Sequence, residues 1–321
     1  MGTKFKGLKV DLQKALSLYD LNPIKIKAIK DGIINSSFLV VSADGSMYVF
    51  RVYQKGNRTD AEIQNELKLM KNFESNDIPV APVFKNKFGS YLTKFRDSEG
   101  EVWRAILMQF VKGSHLKPSQ LNLISEFAKY QAKMHVVAST LKQVKGDFFE
   151  KKMIDWLEKE RRQALRRIRN SKVHKEYAKI SSEIIIEAKN KKKEISLLSS
   201  GEVHLDYDSN NLIVTNKHIK AILDFDDISK QPFVLDTANS LWWWLFFNPN
   251  KSHKKIIDSY FKSYSRYRSL NKAEKGFLPL FIRMRNATLA ALLFVNIRGK
   301  ADSKSLNKAL QIDRLFQQIK I

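Results

Sequence analysis

The chain has 321 residues, no cysteine and a formal net charge of +24. That length is enough to bury a large core, expected as two lobes of one unit. The lack of cysteine excludes disulfides, thiolate chemistry and Cys-ligated zinc, and the six scattered histidines contain no His-x3-His pair. Lys4 and Lys6 precede no apolar region, so no signal peptide is read. The start Met1-Gly2 has Lys6 where a myristoylation signal needs Ser or Thr. The longest apolar runs, Leu241 to Phe247 and Leu289 to Val295, are too short to span a bilayer. A cytoplasmic protein with no membrane span is expected. Neither an internal repeat nor a low-complexity linker is present.

In chain order, Lys30 to Ser37 reads as a turn between two strands, with one glycine, Gly32, and the polar residues Asn35, Ser36 and Ser37. Met47 to Tyr53 is built of β-formers and reads as a strand. Alternation puts Val49 and Arg51 on one of its faces. Asp60 to Phe73 reads as a helix, with Ile63, Leu67 and Met70 at helical spacing and Glu62 and Glu66 one turn apart. Gln120 to Ala138 places Ile124, Phe127, Ala128, Gln131, Met134 and His135 on one stripe, where His135 reads as a core histidine. Phe149 to Arg169 and Val173 to Lys193 read as two long basic helices. Ile256 to Tyr267, Phe277 to Ile297 and Leu306 to Ile319 complete a helical C-terminal region, with Pro279 near the start of its helix. The triplet Trp242-Trp243-Trp244 suggests an aromatic box for a quaternary ammonium group. Consecutive helical residues point about 100° apart, so at most one or two could share a pocket, and core packing is the better reading.

The densest chemical signal lies between Val203 and Asp226. His204, Asp206 and Asn211 stand in a His-x-Asp-x4-Asn pattern, and Asp224-Phe225-Asp226 follows after two short apolar strands, Leu212 to Val214 and Ile219 to Leu223. This is the grammar of a catalytic loop and a metal loop in phosphoryl transfer. Asp206 is placed to accept a hydroxyl proton. Asn211 and Asp224 are placed to hold Mg2+, a hard cation that prefers oxygen, and Asp226 would add a second carboxylate. His204 reads as a buried scaffold that fixes the loop. With that chemistry, the upstream strand would meet a nucleotide, Val49 against the base and Arg51 against the phosphates. Arg51 keeps the charge of the more usual Lys but offers a planar fork. One of Glu62 and Glu66 should pair with it, and Glu66 is favoured. The turn at Lys30 to Ser37 sits where a phosphate-covering loop would sit; Asn35, Ser36 and Ser37 would offer it polar groups, and an ordinary β-turn is the competing reading.

The order Gly32-x-x-Asn35, Arg51, Glu66, Ile78-Pro79-Val80, Leu107-Met108-Gln109-Phe110-Val111-x-Gly113, His204-x-Asp206-x4-Asn211, Asp224-Phe225-Asp226 and Asp236-x-Ala238 resembles the aminoglycoside phosphotransferase and choline kinase superfamily. That superfamily includes homoserine kinase-like and methylthioribose kinase-like enzymes. The resemblance covers roughly residues 25 to 245. It implies an α+β, protein-kinase-like bilobal fold. A small antiparallel-sheet lobe with one helix would span residues 1–108, a hinge 109–113, and a larger, mainly helical lobe 114–321. The larger lobe would hold the loop 203–226 and the acceptor site. Met108, Gln109 and Phe110 would contact the adenine, and Asp236 would brace the catalytic loop. Leu205 stands where the family has Gly, and Arg51 where it has Lys. The implied activity is ATP- and Mg2+-dependent phosphorylation of a small-molecule hydroxyl, homoserine-like, aminoglycoside-like or choline-like, with GTP as an alternative donor. A Ser/Thr protein kinase and a non-catalytic scaffold of the same fold are the other readings.

The charge is unevenly spread. Leu141 to Leu197 carries 17 Lys and Arg against 9 Asp and Glu, and Pro232 to the end carries 16 against 5. Solvated basic helix faces are the simpler account. The basic helices lack interleaved aromatics for base stacking, which argues against a nucleic-acid partner. The scarcity of acids in the C-terminal region ranks neutral, zwitterionic or anionic acceptors above polycations, although Asp155 and Glu158 upstream could supply acids.

Overall fold

Alternating apolar residues in the N-terminal third make a sheet, and the computed structural model shows how it is ordered. It describes residues 8–29, 34–141, 153–292, 295, 303–317 and 319. The chain divides into two compact units, Met1–Ser114 with Lys220–Leu223, and His115–Ile219 with Asp224–Ile321.

The first unit contains α1 (Leu8–Leu16), β1 (Pro23–Ile29), β2 (Ser36–Ser42), β3 (Met47–Val52), α2 (Asp60–Glu74), β4 (Val83–Phe84), β5 (Thr93–Arg96) and β6 (Val102–Gln109). These strands form one antiparallel sheet in the order β1-β2-β3-β6-β4, with β5 also paired to β6. Leu12, Ala15, Leu16 and Tyr19 pack on Phe38, Val40, Phe50, Val52 and Leu107 from the strands. The buried Tyr19 hydroxyl shares a 2.7 Å hydrogen bond with Thr93 Oγ1. Strand β2 begins at Ser36, so Ser36 and Ser37 are strand residues and not turn residues as the sequence suggests. They pair there with Val52 and Arg51. Residues 30–33, including Gly32, lie outside the described residues. Helix α2 starts at a capping box: Thr59 Oγ1 accepts the Glu62 N–H, and the Glu62 carboxylate accepts the Thr59 N–H at 2.8 Å. The segment Lys220–Leu223 joins this unit through a 2.7 Å bond from the Ile222 N–H to the Pro79 carbonyl.

The remaining elements are β7 (Ser114–His115), α3 (Ile124–Thr140), α4 (Asp155–Arg167), α5 (Ser171–Asn190), α6 (Lys192–Ser196), β8 (Ser200–Val203), β9 (Leu212–Val214), β10 (Ile219–Ile222), β11 (Ser229–Pro232), α7 (Phe233–Phe247), α8 (His253–Tyr264), α9 (Lys272–Ala291) and α10 (Ser303–Phe316). In the second unit, α9 packs against α4, α5, α7 and α10 and is buried along nearly its whole length. It starts five residues before the position read from periodicity, because Asn271 and Glu274 form a capping box. Pro279 is therefore inside the helix and not at its start. The second basic helix ends at Asn190, and α6 follows after Lys191. The part of the first basic helix before residue 153 lies outside the described residues. All three consecutive tryptophans of α7 are buried, Trp242 stacking on Phe246 and donating its indole N–H to Asn286 Oδ1 at 3.0 Å. They are core. No described helix is long and apolar enough to cross a membrane.

Strands β8 and β11 pair antiparallel, Val203 opposite Ser229 and Ser200 opposite Pro232. This pairing sets the entry to the loop after β8 beside the start of α7. Gly201 is required there. A Cβ at that position would sit 2.7 Å from the Phe233 ring and 3.3 Å from the Ala138 carbonyl oxygen.

Candidate active site

In the second unit, the loop from His204 to Asn211 is held from below by one face of α7. Asp236 Oδ1 accepts the Leu205 N–H at 2.6 Å. Asn239 Nδ2 donates to the Leu205 carbonyl at 3.0 Å, and Ser240 Oγ donates to the Tyr207 carbonyl at 3.0 Å. Residues 236, 239 and 240 follow the i, i+3, i+4 rule for one helix face. An apolar helix with this single polar stripe thus fixes the backbone on both sides of Asp206. Gln131 of α3 donates to the Asp236 backbone carbonyl at 3.0 Å, to its carboxylate at 2.6 Å and to Ser240 Oγ at 2.9 Å. His135 Nε2 lies 3.0 Å from Asp236 Oδ2, and its Nδ1 lies 2.7 Å from the Tyr264 hydroxyl. A neutral imidazole with the proton on Nε2 satisfies both contacts, because Tyr264 also accepts from Arg268 at 3.2 Å and so is free to donate. Burial holds the His135 pKa below the ordinary histidine value, against the pull of Asp236. Burial pushes Asp236 upward, but hydrogen bonds from His135 and Gln131 outweigh it and keep the carboxyl below its usual range.

This bracing carries Leu205 at φ 63, in the left-handed region that a side chain rarely adopts. The Leu205 side chain is nevertheless buried. His204 is buried too, its ring 4.8 Å from that of Phe225 and 5.9 Å from that of Tyr207. Asp206, partly exposed, meets Asn211: the Asn211 amide nitrogen donates to the Asp206 carbonyl at 2.8 Å and to Asp206 Oδ2 at 3.0 Å. Those bonds use the nitrogen of Asn211 and leave its Oδ1, the atom a hard cation would take, outside them. Asp208 accepts the Asn210 N–H at 2.9 Å, and burial with the nearby Asp206 charge pushes its carboxyl up to about 7.

After β10 the chain turns at Asp224, exposed and at φ 59, a conformation that Asp tolerates better than most residues. Asp224 Oδ1 accepts the Asp226 N–H at 3.4 Å, so the two acids share one turn. No group of three or more His, Asp or Glu side chains that could hold a metal ion occurs among the described residues. A magnesium site of the phosphate-bound kind needs fewer, since one or two carboxylates combine with phosphate oxygens and water. The oxygen-only donors Asn211, Asp224 and Asp226 fit that demand.

In the first unit, Arg51 and Glu66 are both buried, with Nη1 3.9 Å from Oε1. Tyr53 donates its hydroxyl to Glu66 Oε2 at 3.2 Å and lies under the Arg51 guanidinium at 5.5 Å. Glu62 belongs to the helix cap instead. Val49, half-buried, sits opposite Met108 and Leu39 in the sheet. The N–H of Gln109 donates to the Pro82 carbonyl at 2.8 Å and that of Phe110 to the Met47 carbonyl at 3.1 Å. Those two N–H groups are spent within the sheet. Asn35 is buried and its Oδ1 accepts the Gln54 N–H at 3.0 Å, which ties the start of β2 to the end of β3.

One residue next to Asp206 has no counterpart among the motifs of the sequence. Arg285 of α9, 5% exposed, donates from Nη2 to Asp206 Oδ1 at 2.7 Å. Asn239, Ser240 and Gln131 likewise carry no motif that ties them to this loop. A signal is present all the same: polar residues at helical spacing in an otherwise apolar helix, and an arginine among apolar residues of α9, which burial obliges to find a partner.

A family model described as the phosphotransferase enzyme family matches residues 25–270. Homoserine kinase of Parvibaculum lavamentivorans is 22% identical over 290 residues, covering 85% of this chain and 81% of that protein. Among solved structures, amicoumacin kinase hAmiN in complex with AMP-PNP, Ca2+ and Ami superposes with a TM-score of 0.72 at 17% identity, over 95% of this chain and 92% of that one. A microcompartment-associated aminopropanol kinase gives 0.72 at 16% identity, over 95% and 94%. The α+β architecture is that of the kinase-like fold. The chain belongs to the phosphotransferase enzyme family and is an enzyme of the kinase class, with an alcohol group as acceptor.

Proposed function

We propose that the protein moves the γ-phosphoryl group of ATP, bound with Mg2+, onto the hydroxyl of a small molecule. In this reading Asp206 accepts the hydroxyl proton, so that the oxygen can attack phosphorus in line. His204 fixes the loop by packing. Asn211 and Asp224 hold Mg2+, with Asp226 as a further carboxylate, and the ion would neutralise charge at the transferring phosphate. Arg51, positioned by Glu66, binds phosphate. Val49 and the segment Met108, Gln109 and Phe110 receive the base, and Asn35 and Ser36 lie toward the phosphates. GTP is the alternative donor. Residues 1–108 would form the nucleotide lobe, 109–113 the hinge and 114–321 the acceptor lobe, in a cytoplasmic protein.

The observation that carries this reading is the Asp206–Asn211 pair. It stands on a loop held at Leu205 and Tyr207 by three side chains of α7. Fixing a carboxylate on so rigid a loop serves positioning, which is most of what phosphoryl transfer asks of a protein. The test separates base from metal ligand. Asp206→Asn is expected to cut turnover by a factor of about a thousand or more while Mg-nucleotide binding stays within about threefold of wild type. Asp224→Ala is expected to weaken Mg-nucleotide binding itself. Full turnover in Asp206→Asn would remove the base assignment.

A further inference from the structure

We infer that the acceptor carries a small anionic group, a carboxylate or its like, near its hydroxyl, and that Arg285 binds that group beside Asp206. The inference rests on the phosphotransfer reading and narrows its acceptor. Arg285 is almost wholly buried, and its Nη2 donates to Asp206 Oδ1 at 2.7 Å. Its Nε is buried with no hydrogen-bond partner among the described residues, and its guanidinium carbon lies 6.0 Å from the ring of the partly exposed Trp156 on α4. A guanidinium presents five donors in a rigid fork that matches planar anions two bonds at a time. One bond to Asp206 leaves that fork short of acceptors in a place where an unsatisfied charged donor is costly.

A purely supporting role explains this geometry less well. The loop is already fixed by Asn211, Asp236, Asn239 and Ser240. An anion arriving on Arg285 completes the fork. The acids of the C-terminal region are largely engaged elsewhere, which favours this class over a polycation. Of the five acids from Pro232 onward, Asp236 holds the loop, Asp258 pairs with Lys254, Glu274 with Arg268 and Asp313 with Arg283, while Asp302 lies outside the described residues. On α4, Glu158 pairs with Lys189, Asp155 is exposed, and Glu160 is buried with a partner of its own. The tryptophan triplet is buried core. Little is left to cradle a polycation or a quaternary ammonium.

The test uses acceptor pairs that differ by one carboxylate: serine against ethanolamine, homoserine against propanolamine, threonine against isopropanolamine, and glycerate against ethylene glycol. With Mg-ATP, the wild-type chain should turn over the carboxylated member of at least one pair with kcat/KM higher by about thirtyfold or more. Arg285→Gln should erase most of that ratio, chiefly through KM, and Arg285→Lys should fall between. A supporting role would instead lower kcat for both members and leave the ratio unchanged, which overturns the inference. Turnover of the uncharged or amine members alone, dependent on Asp206, overturns it while the phosphotransfer reading stands. No turnover of any compound above the Asp206→Asn background counts against both. If Arg285→Gln does not fold, the wild-type ratio decides alone, and a preference under about threefold overturns the inference.

Discussion

Leu205 occupies a backbone position that suits glycine. Holding a side chain in the left-handed region costs about 1–2 kcal/mol, while a fully buried leucine side chain is worth about 2–3 kcal/mol. Burial outweighs the backbone strain, so Leu205→Gly should destabilise the protein by about 1–2 kcal/mol. Leu205→Ala loses the side chain and keeps the strain, so it should cost about 1 kcal/mol more than the glycine variant. Urea unfolding reads this inverted order, and an alanine variant more stable than the glycine one would contradict it. At this scale, Asp206, Asn211 and Asp224 were readable as candidates from their short spacings, and Arg51 and Glu66 from strand alternation and helical spacing. Arg285 was not, because it reaches Asp206 across 79 residues of sequence, and no spacing rule links positions that far apart.

At the scale of elements, two of the acids of α2, Glu62 and Glu66, serve two different tasks. Glu62 closes the capping box with Thr59, and Glu66 lies buried against Arg51. Glu62→Ala should cost about 0.5–1 kcal/mol of stability and leave kcat/KM for nucleotide unchanged. Glu66→Gln should remove the buried carboxylate opposite Arg51, cost about 3 kcal/mol, and lower kcat/KM for nucleotide by roughly tenfold or more. Equal effects of the two substitutions on activity would contradict the division. Periodicity locates most helices, since apolar stripes at helical spacing survive into the packed structure. It misplaces the start of α9, because the capping box at Asn271 lies ahead of the first apolar residue of the stripe. It also places Ser36 and Ser37 in the turn, where the β-ladder to β3 has already begun. The stripe Asp236, Asn239, Ser240 on α7 is hard to read in part because the tryptophans beside it dominate the local composition.

At the scale of the molecule, the buried polar cluster of His135, Asp236, Gln131 and Tyr264 ties α3, α7 and α8 to the loop that carries Asp206 and should set how stability responds to pH. His135 is neutral and has a lowered pKa when folded. The unfolded chain therefore binds the proton more readily, so stability is full above the ordinary histidine value of about 6.5 and falls as pH drops through it. The lowered pKa of Asp236 acts in a separate window: its contribution holds above the ordinary carboxylate range and is lost only in stronger acid. The melting temperature should thus fall between about pH 7.5 and 5.5, and His135→Gln should flatten that slope. His253, half-buried and also lowered by burial, leaves a remainder. A slope unchanged in His135→Gln would show that the imidazole is not held neutral.

Turnover of Mg-ATP by the full chain against a pooled panel of hydroxyl compounds, with Asp206→Asn assayed beside it, tests the phosphotransfer reading at its root. The pool would contain homoserine, choline, amino sugars, aminoglycosides, thioribose compounds, nucleosides and the carboxylate pairs above. Phosphorylation of at least one compound by the wild type is expected, reduced by about a thousandfold or more in the variant. Equal turnover by the two proteins, or none by either, would contradict it.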